Sequence, residues 1–492
     1  MGKPTGKYRF RRERGGFAGF ALLLSLSSLP AFGQDQAFGH QPKFLEALQA
    51  PESPTISQTV SLSRADVAKL TSAVIGDPVS VAALSLGLAK GAAMEFKRIA
   101  IRAPGARVVV DDGVSARELP PTRRRFFLAH SATGGASFSL DPESGRVHGL
   151  LVDGGHSYQI DGGADGSGGL TMNLKSLREG RSRAGFSCGQ NHTHKAEYRA
   201  PAIGRALAAG RTPGVRPMAP SMRLGLKGSG QVLYQAVIAV DTDNEFLFDK
   251  FANNTGNAQD WVEDVFVAMN AFYEPDLGLR LLLGDLILRI DNTPANDPDY
   301  NADPEDFNTG LSQFRSYFQN NENGRARSFT ALFSGRDISS RSFSGVAYVG
   351  AYCNSFSYSL NRIGSRSSPA FIAGGVGHEI GHNLGSSHTH CEALRPNGGF
   401  VDQCYSRQRN GCYEGPTSCP SGVDGSLMSY CHAGASGFDG SGPAEGTSER
   451  CSVSDYFHPL IIGKLDSRIA SNNPSCIADF DDLDLLLRDG FE

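Results

Sequence analysis

The residues best able to do chemistry together lie between 378 and 388, in the run His-Glu-Ile-Gly-His-Asn-Leu-Gly-Ser-Ser-His. His378 and His382 are four apart, so on a helix both imidazoles project from one face, one turn from each other. Two neutral imidazoles held at that spacing make half of a tetrahedral zinc site. Glu379 follows the first of them and lies beside the metal without binding it, placed as a general base toward a water held there. Gly385 closes the helix in a left-handed turn, which glycine adopts at least cost, and the turn returns His388 as a third ligand. A fourth position is left for water or substrate. With 12 His and 59 Gly in 492 residues, chance assembles these five residues only on the order of 10⁻⁵ to 10⁻⁴ times per chain. Histidines merely packed in a helix are the weaker reading.

Such a site needs a scaffold, and 492 residues exceed one ordinary core, so two folded units with flanking segments are expected. The 40% hydrophobic and 20% charged residues belong to a globular protein and exclude a disordered one. Residues 1–33 have the layout of an export signal. Lys3, Lys7, Arg9, Arg11, Arg12 and Arg14 precede apolar Phe17 to Leu29, and Ala31-Phe32-Gly33 supplies the cleavage site. The competing reading is an uncleaved anchor, for which the apolar core is short. No other apolar run is long enough to span a bilayer, so secretion is expected without stable membrane insertion. No nucleic-acid partner is expected.

Charge divides the chain. Residues 217–492 carry 19 basic against 34 acidic residues, a net of −15, whereas residues 34–216 carry a net of +6. Opposite signs suit a detachable segment docked on an acidic domain, since complementary potentials favour docking and fix its register. Two soluble surfaces with no mutual role would show the same split. Residues 34–216 read as a separate α+β prosegment, with a helical pattern at about 63–98. Alternating stretches follow at Arg107–Asp111, Arg125–Ala129 and Val147–Val152, and Gly- and Asp-rich Asp153–Gly169 reads as a loop. From about 200 to 230 the composition is that of a linker, on which Arg205, Arg211, Arg216 and Arg223 are convenient processing sites.

There are nine cysteines, eight of them after residue 352. In an exported protein those eight suggest four disulfides of open connectivity. Cys188 stands alone in the prosegment. A free thiolate there could act as a fourth zinc ligand and displace the catalytic water; a buried or intermolecularly paired thiol is the alternative.

The second half reads as strand Val232–Val240, helix Asp260–Tyr273, strand Leu281–Ile290 and a helix at about Phe307–Asn320. Strands Thr330–Phe333 and Ser344–Tyr352 follow, then the histidine-bearing helix Ser368–Leu384, so an α/β domain with a twisted sheet is expected. The acidic loop Asp291–Asp306 could hold Ca²⁺ on its oxygens or simply be solvated. Residues 391–450 read as a disulfide-stapled insertion beside the cleft. His390 reads as a surface residue, and residues 477–492 as an acidic tail.

The 378–388 stretch resembles the long zinc-binding motif of the metzincin endopeptidases, and about 231–476 resembles their reprolysin/ADAM branch. Leu332-Phe-Ser-Gly-Arg-Asp337 and Gly345-Val-Ala-Tyr-Val-Gly-Ala-Tyr-Cys353 look like that branch's penultimate strand and the edge strand along which extended substrate pairs. Thr389 departs from the branch, where Asp is usual. Ser426-Leu-Met-Ser-Tyr430 resembles a Met-turn, which implies Met428 as an apolar floor under the metal. It also implies either oxyanion stabilisation or packing for Tyr430. Cys188-Gly189 resembles the cysteine switch of metzincin zymogens, and the resemblance pairs Cys353 with Cys476. Together these imply a metzincin-like α/β catalytic domain at 231–476, with twisted mixed sheet and active-site helix. Ahead of it stand signal (1–33), prosegment (34–216) and linker to about 230. The implied protein is a secreted, latent zinc endopeptidase acting on protein substrates and held off by its own prosegment. A non-catalytic binding or adhesion protein on the same fold is the rival.

Overall fold

The computed structural model describes residues 58–80, 95–131, 134–177, 185–191, 234–290, 307–336, 341–364, 367–406, 408, 411–420, 424–431, 451, 453–473 and 476–480; at 58, 131, 185–191 and 341–344 it describes backbone alone. The chain opens on β1 (Gln58–Leu62) and α1 (Arg64–Ser72), which starts where the Ser63 hydroxyl accepts from the Asp66 amide at 3.2 Å. The helix is much shorter than the pattern over 63–98 predicts. Gly76 turns at φ 93° and Pro78 cannot continue a helix, so the chain moves into β2 (Pro78–Ser80) and β3 (Glu95–Ile99). There follow β4 (Val108–Asp111), β5 (Ala116–Leu119), β6 (Arg125–Ser131), β7 (Gly134–Leu140), β8 (Val147–Asp153), β9 (His156–Ala164), β10 (Leu170–Ser176) and β11 (Gly185–Asn191). Strand β9 replaces most of the loop expected over 153–169. Its Tyr158 and Ile160 enter a core, and Gly162 lies so close to β10 that a Cβ there would meet the Thr171 carbonyl oxygen at 2.5 Å. Here glycine permits close backbone approach inside a strand.

Eight strands make an antiparallel sheet in the order β1-β10-β9-β8-β7-β6-β3-β2. Its two faces bury different residues, as the period of two requires. Phe127, Ala129, Val147 and Leu151 enter a core shared with Leu70 of α1, whereas Phe126, Leu128, Leu150 and Val152 enter the larger core of the molecule.

The second half supplies β12 (Tyr234–Thr242), α2 (Asn244–Phe251), α3 (Thr255–Leu277), β13 (Leu279–Arg289), α4 (Phe307–Asn321), β14 (Phe329–Ser334), β15 (Arg341–Tyr348), β16 (Tyr358–Ile363), α5 (Pro369–Leu384), α6 (Pro459–Ser471) and β17 (Ala478–Asp479). Among the described residues the second sheet runs β11-β15-β16-β14-β12-β13-β4-β5, with β17 against β12. Strands β12, β13, β14 and β16 pair in parallel and β15 antiparallel to β16, giving the mixed sheet expected. Strand β16 goes unread in the sequence because it is buried yet polar: Ser359, Asn361 and Arg362 are all inside. Two elements of the first half join this sheet, β11 alongside β15 and the β4–β5 hairpin alongside β13. Among the described residues no helix is long and apolar enough to cross a membrane.

Candidate active site

Helix α5 is buried along its length, so every group it carries must be satisfied by protein or ligand. Ser368 caps it, accepting from the Phe371 amide at 3.3 Å, and Pro369 opens the first turn. Gly385 ends it at φ 112°, the left-handed turn that reverses the chain toward His388. Asn383 fastens the helix to the sheet, its amide donating to the carbonyls of Tyr348 and Tyr358 at 2.9 and 3.1 Å.

The turn brings three imidazoles together. Ring centroids of His378, His382 and His388 lie 4.6, 5.2 and 4.7 Å apart, and one nitrogen from each falls within 4.8 Å of the others. The opposite nitrogens fix the tautomers. The Nδ1 atom of His378 meets the Leu427 carbonyl at 2.7 Å, that of His382 the Ser386 carbonyl at 2.7 Å, and that of His388 the Gln408 side-chain oxygen at 2.8 Å. Oxygen acceptors require Nδ1–H, which leaves each Nε2 as a lone pair. Two of those atoms, on His382 and His388, approach to 3.2 Å. Lone pairs turned on one another need a cation between them. Burial lowers His378 to about 4, against the Leu427 bond. It takes His388 well below the usual imidazole range, helped by the neighbouring histidines. The donor set, three neutral nitrogens with backed tautomers, fits zinc.

Glu379 is wholly buried on the next position of α5 and faces β15. A Cβ on Gly345 would lie 2.4 Å from its carboxylate oxygen, so only glycine lets the edge strand lie against this group. Beneath the helix, a Cβ at Gly381 would meet the Met428 sulfur at 2.5 Å, which makes Met428 a buried floor to α5. Its carbonyl accepts from the Thr389 amide at 3.0 Å. The Thr389 hydroxyl donates to Asp402, so a carboxylate reaches this place from the insertion instead of from position 389. Tyr430 is buried, its ring 3.8 Å from that of His388.

His390 is not on the surface. It is fully buried, stacked on His388 at 5.5 Å and packed on Tyr405 at 5.1 Å, because the insertion folds over it. The Gln408 side-chain oxygen takes hydrogen bonds from both His388 Nδ1 and His390 Nε2, at 2.8 and 2.9 Å. Gln408 and Asp402 are the residues that sequence reasoning missed; no periodicity marks a side chain twenty residues from the ring it orients. The insertion is stapled by Cys391–Cys412, Cys404–Cys431 and Cys419–Cys451, and Cys353 pairs with Cys476 as the resemblance implies.

Strand β11 runs parallel to β15 with Cys188 in register with Gly345, the residue against Glu379. The Cys188 side chain lies outside the described residues, as does the acidic 291–306 loop read for calcium.

Residues 234–438 match the reprolysin-type family model described as metallo-peptidase family M12. Among solved structures, the chain is similar to metalloproteinase-II from Bacteroides fragilis over 60% of its own length and 77% of that chain, at 11% identity and a TM-score of 0.26. No curated protein matches.

Proposed function

From the premise that residues 234–438 are a metzincin-like metallopeptidase domain, we propose that the protein is an exported, zinc-dependent endopeptidase made in latent form. The observation that carries this is the convergence of three Nε2 lone pairs, each backed by an oxygen acceptor at Nδ1. His378, His382 and His388 would hold the metal. Zinc, when bound there, supplies Lewis acidity toward a carbonyl and lowers the pKa of water. Glu379, held between helix and edge strand, takes a proton from the attacking water and returns it to the departing amine. Tyr430, whose ring packs on that of His388, would donate to a developing oxyanion. Extended substrate would lie along β15, where backbone pairing gives register.

In the latent form that edge is taken by β11, so substrate and β11 compete for one row of backbone groups. The register of Cys188 with Gly345 supports the thiolate as fourth ligand. Export through residues 1–33 agrees with the four disulfides.

Glu379→Gln tests the chemistry. It should retain zinc and lose nearly all gelatin turnover; a variant as active as wild type sinks the assignment. If wild type carries zinc and digests nothing, the non-catalytic binding protein takes its place. Cys188→Ala should give the uncut precursor measurable but partial turnover, since β11 still holds the edge, and a precursor as latent as wild type removes the thiolate from the mechanism.

A further inference from the structure

Helix α3 lies between the two sheets and is covered by the first-half strands. The β7 backbone rests directly on it: a Cβ at Gly135 would come within 2.3 Å of the Ala271 carbonyl oxygen. Phe126, Leu128, Leu150 and Val152 share one core with α3 residues such as Val267 and Ala271, with no boundary between the halves. The described residues, from 58 to 480, accordingly belong to one compact unit.

The buried charges follow the same line. Arg124 bonds Asp264 at 2.8 Å, both side chains almost wholly buried, and Arg102 bonds Glu263 at 2.8 Å. Asp111 of β4 takes the Arg289 guanidinium at 2.7 Å. The backbone of 101–111 is also stitched to β13, with Leu283 N to Ile101 O at 2.7 Å, Ala103 N to Leu283 O at 2.8 Å and Leu286 N to Arg107 O at 2.9 Å. Near the site, Ser157 accepts from the Asp455 amide at 2.8 Å. The first half also has an interior of its own, built from Phe96, Phe127 and Phe138 among others, so it can persist as a folded fragment.

We propose that cutting the linker does not release the first half. The product is a two-chain complex in which the N-terminal chain remains the cover of α3. Because β11 belongs to that chain, the complex also keeps the edge strand occupied, so one linker cut is not enough to open the cleft. This rests on the zymogen reading only for the existence of the cut.

The test places a recognition sequence for a specific processing protease within 205–223 of the full-length Glu379→Gln protein. That variant cannot digest itself, so association is measured apart from catalysis. After cutting, both fragments should co-elute 1:1 on gel filtration at micromolar concentration and physiological salt. Arg124→Ala should raise the concentration at which they separate by at least tenfold, while Arg123→Ala, on an exposed ion pair, should leave it unchanged. Fragments that separate, or precipitate on cutting, overturn the proposal. In the wild type, turnover after the single cut should be at least tenfold below that after further digestion of the N-terminal chain. Full turnover after one cut overturns the latency claim. No turnover in either sample counts against the protease reading alone, since the gel-filtration result stands without it.

Discussion

Helices α3 and α5 are both buried and both carry polar groups where apolar ones are expected, yet they carry them in opposite ways. On α3, Glu263, Asp264 and Glu274 each meet a guanidinium, from Arg102, Arg124 and Arg280. Each carboxylate there finds its opposite charge within the chain. On α5 and its following turn, imidazoles meet imidazoles, nitrogen toward nitrogen at 3.2 Å. Opposites brought together are architecture, whereas likes brought together mark a place for something the chain does not supply. This distinguishes a structural polar cluster from a site without any appeal to motif.

The sharpest way to break the comparison is to delete one member from each. Arg124→Ala strands the buried Asp264 carboxylate and should cost about 3–5 kcal/mol of stability in urea unfolding. The adjacent Arg123, whose pair with Glu143 is 80% and 67% exposed, should cost about 0–1 kcal/mol. His382→Ala should instead abolish zinc retention while leaving the metal-free protein as stable as before. A metal-free variant that unfolds as readily as Arg124→Ala would erase the distinction.

Next in size is Gln408→Ala, which removes the acceptor holding His388 in its Nδ1–H tautomer. Zinc affinity by chelator competition should fall about 10–100-fold, with little change in unfolding. Unchanged affinity would mean that the insertion covers the site without tuning it.

A further contrast comes from a carboxylate that has neither arrangement. Asp276, near the end of α3, accepts the Phe457 amide at 2.6 Å, and burial raises its pKa to about 7 against that bond. A raised carboxyl binds its proton more tightly folded than unfolded, so between pH 4 and 7 the folded state holds the extra proton. Stability should therefore fall as pH rises through that window, by on the order of 4 kcal/mol, and Asp276→Asn should flatten the slope. A wild-type profile already flat there would place the group in water.

The second half was legible where chemistry and periodicity coincide. The histidine run, the helix limits at Ser368 and Gly385, and most strands of the second sheet are carried by local signals. What escaped notice was polar material inside. Strand β16 hides behind Ser359, Asn361 and Arg362 because their partners, such as the Leu332 carbonyl for Asn361, are distant in sequence. Strand β9 hides behind glycines that serve close packing. His390 and Gln408 depend on how a disulfide-stapled loop folds back, which no window of sequence contains. The first half is legible as a β-rich region of its own, but composition shows only a charge difference and not that β4, β5 and β11 join the second sheet.

The Cys353–Cys476 bond spans 123 positions and encloses the three histidines, Met428 and the whole stapled insertion. A backbone break anywhere between those two cysteines leaves a single covalent molecule. The chain can therefore be nicked within the ring and lose no part of itself, the damage surfacing only when the sample is reduced. None of the described disulfides spans the linker, so a break there leaves the two halves held by packing alone.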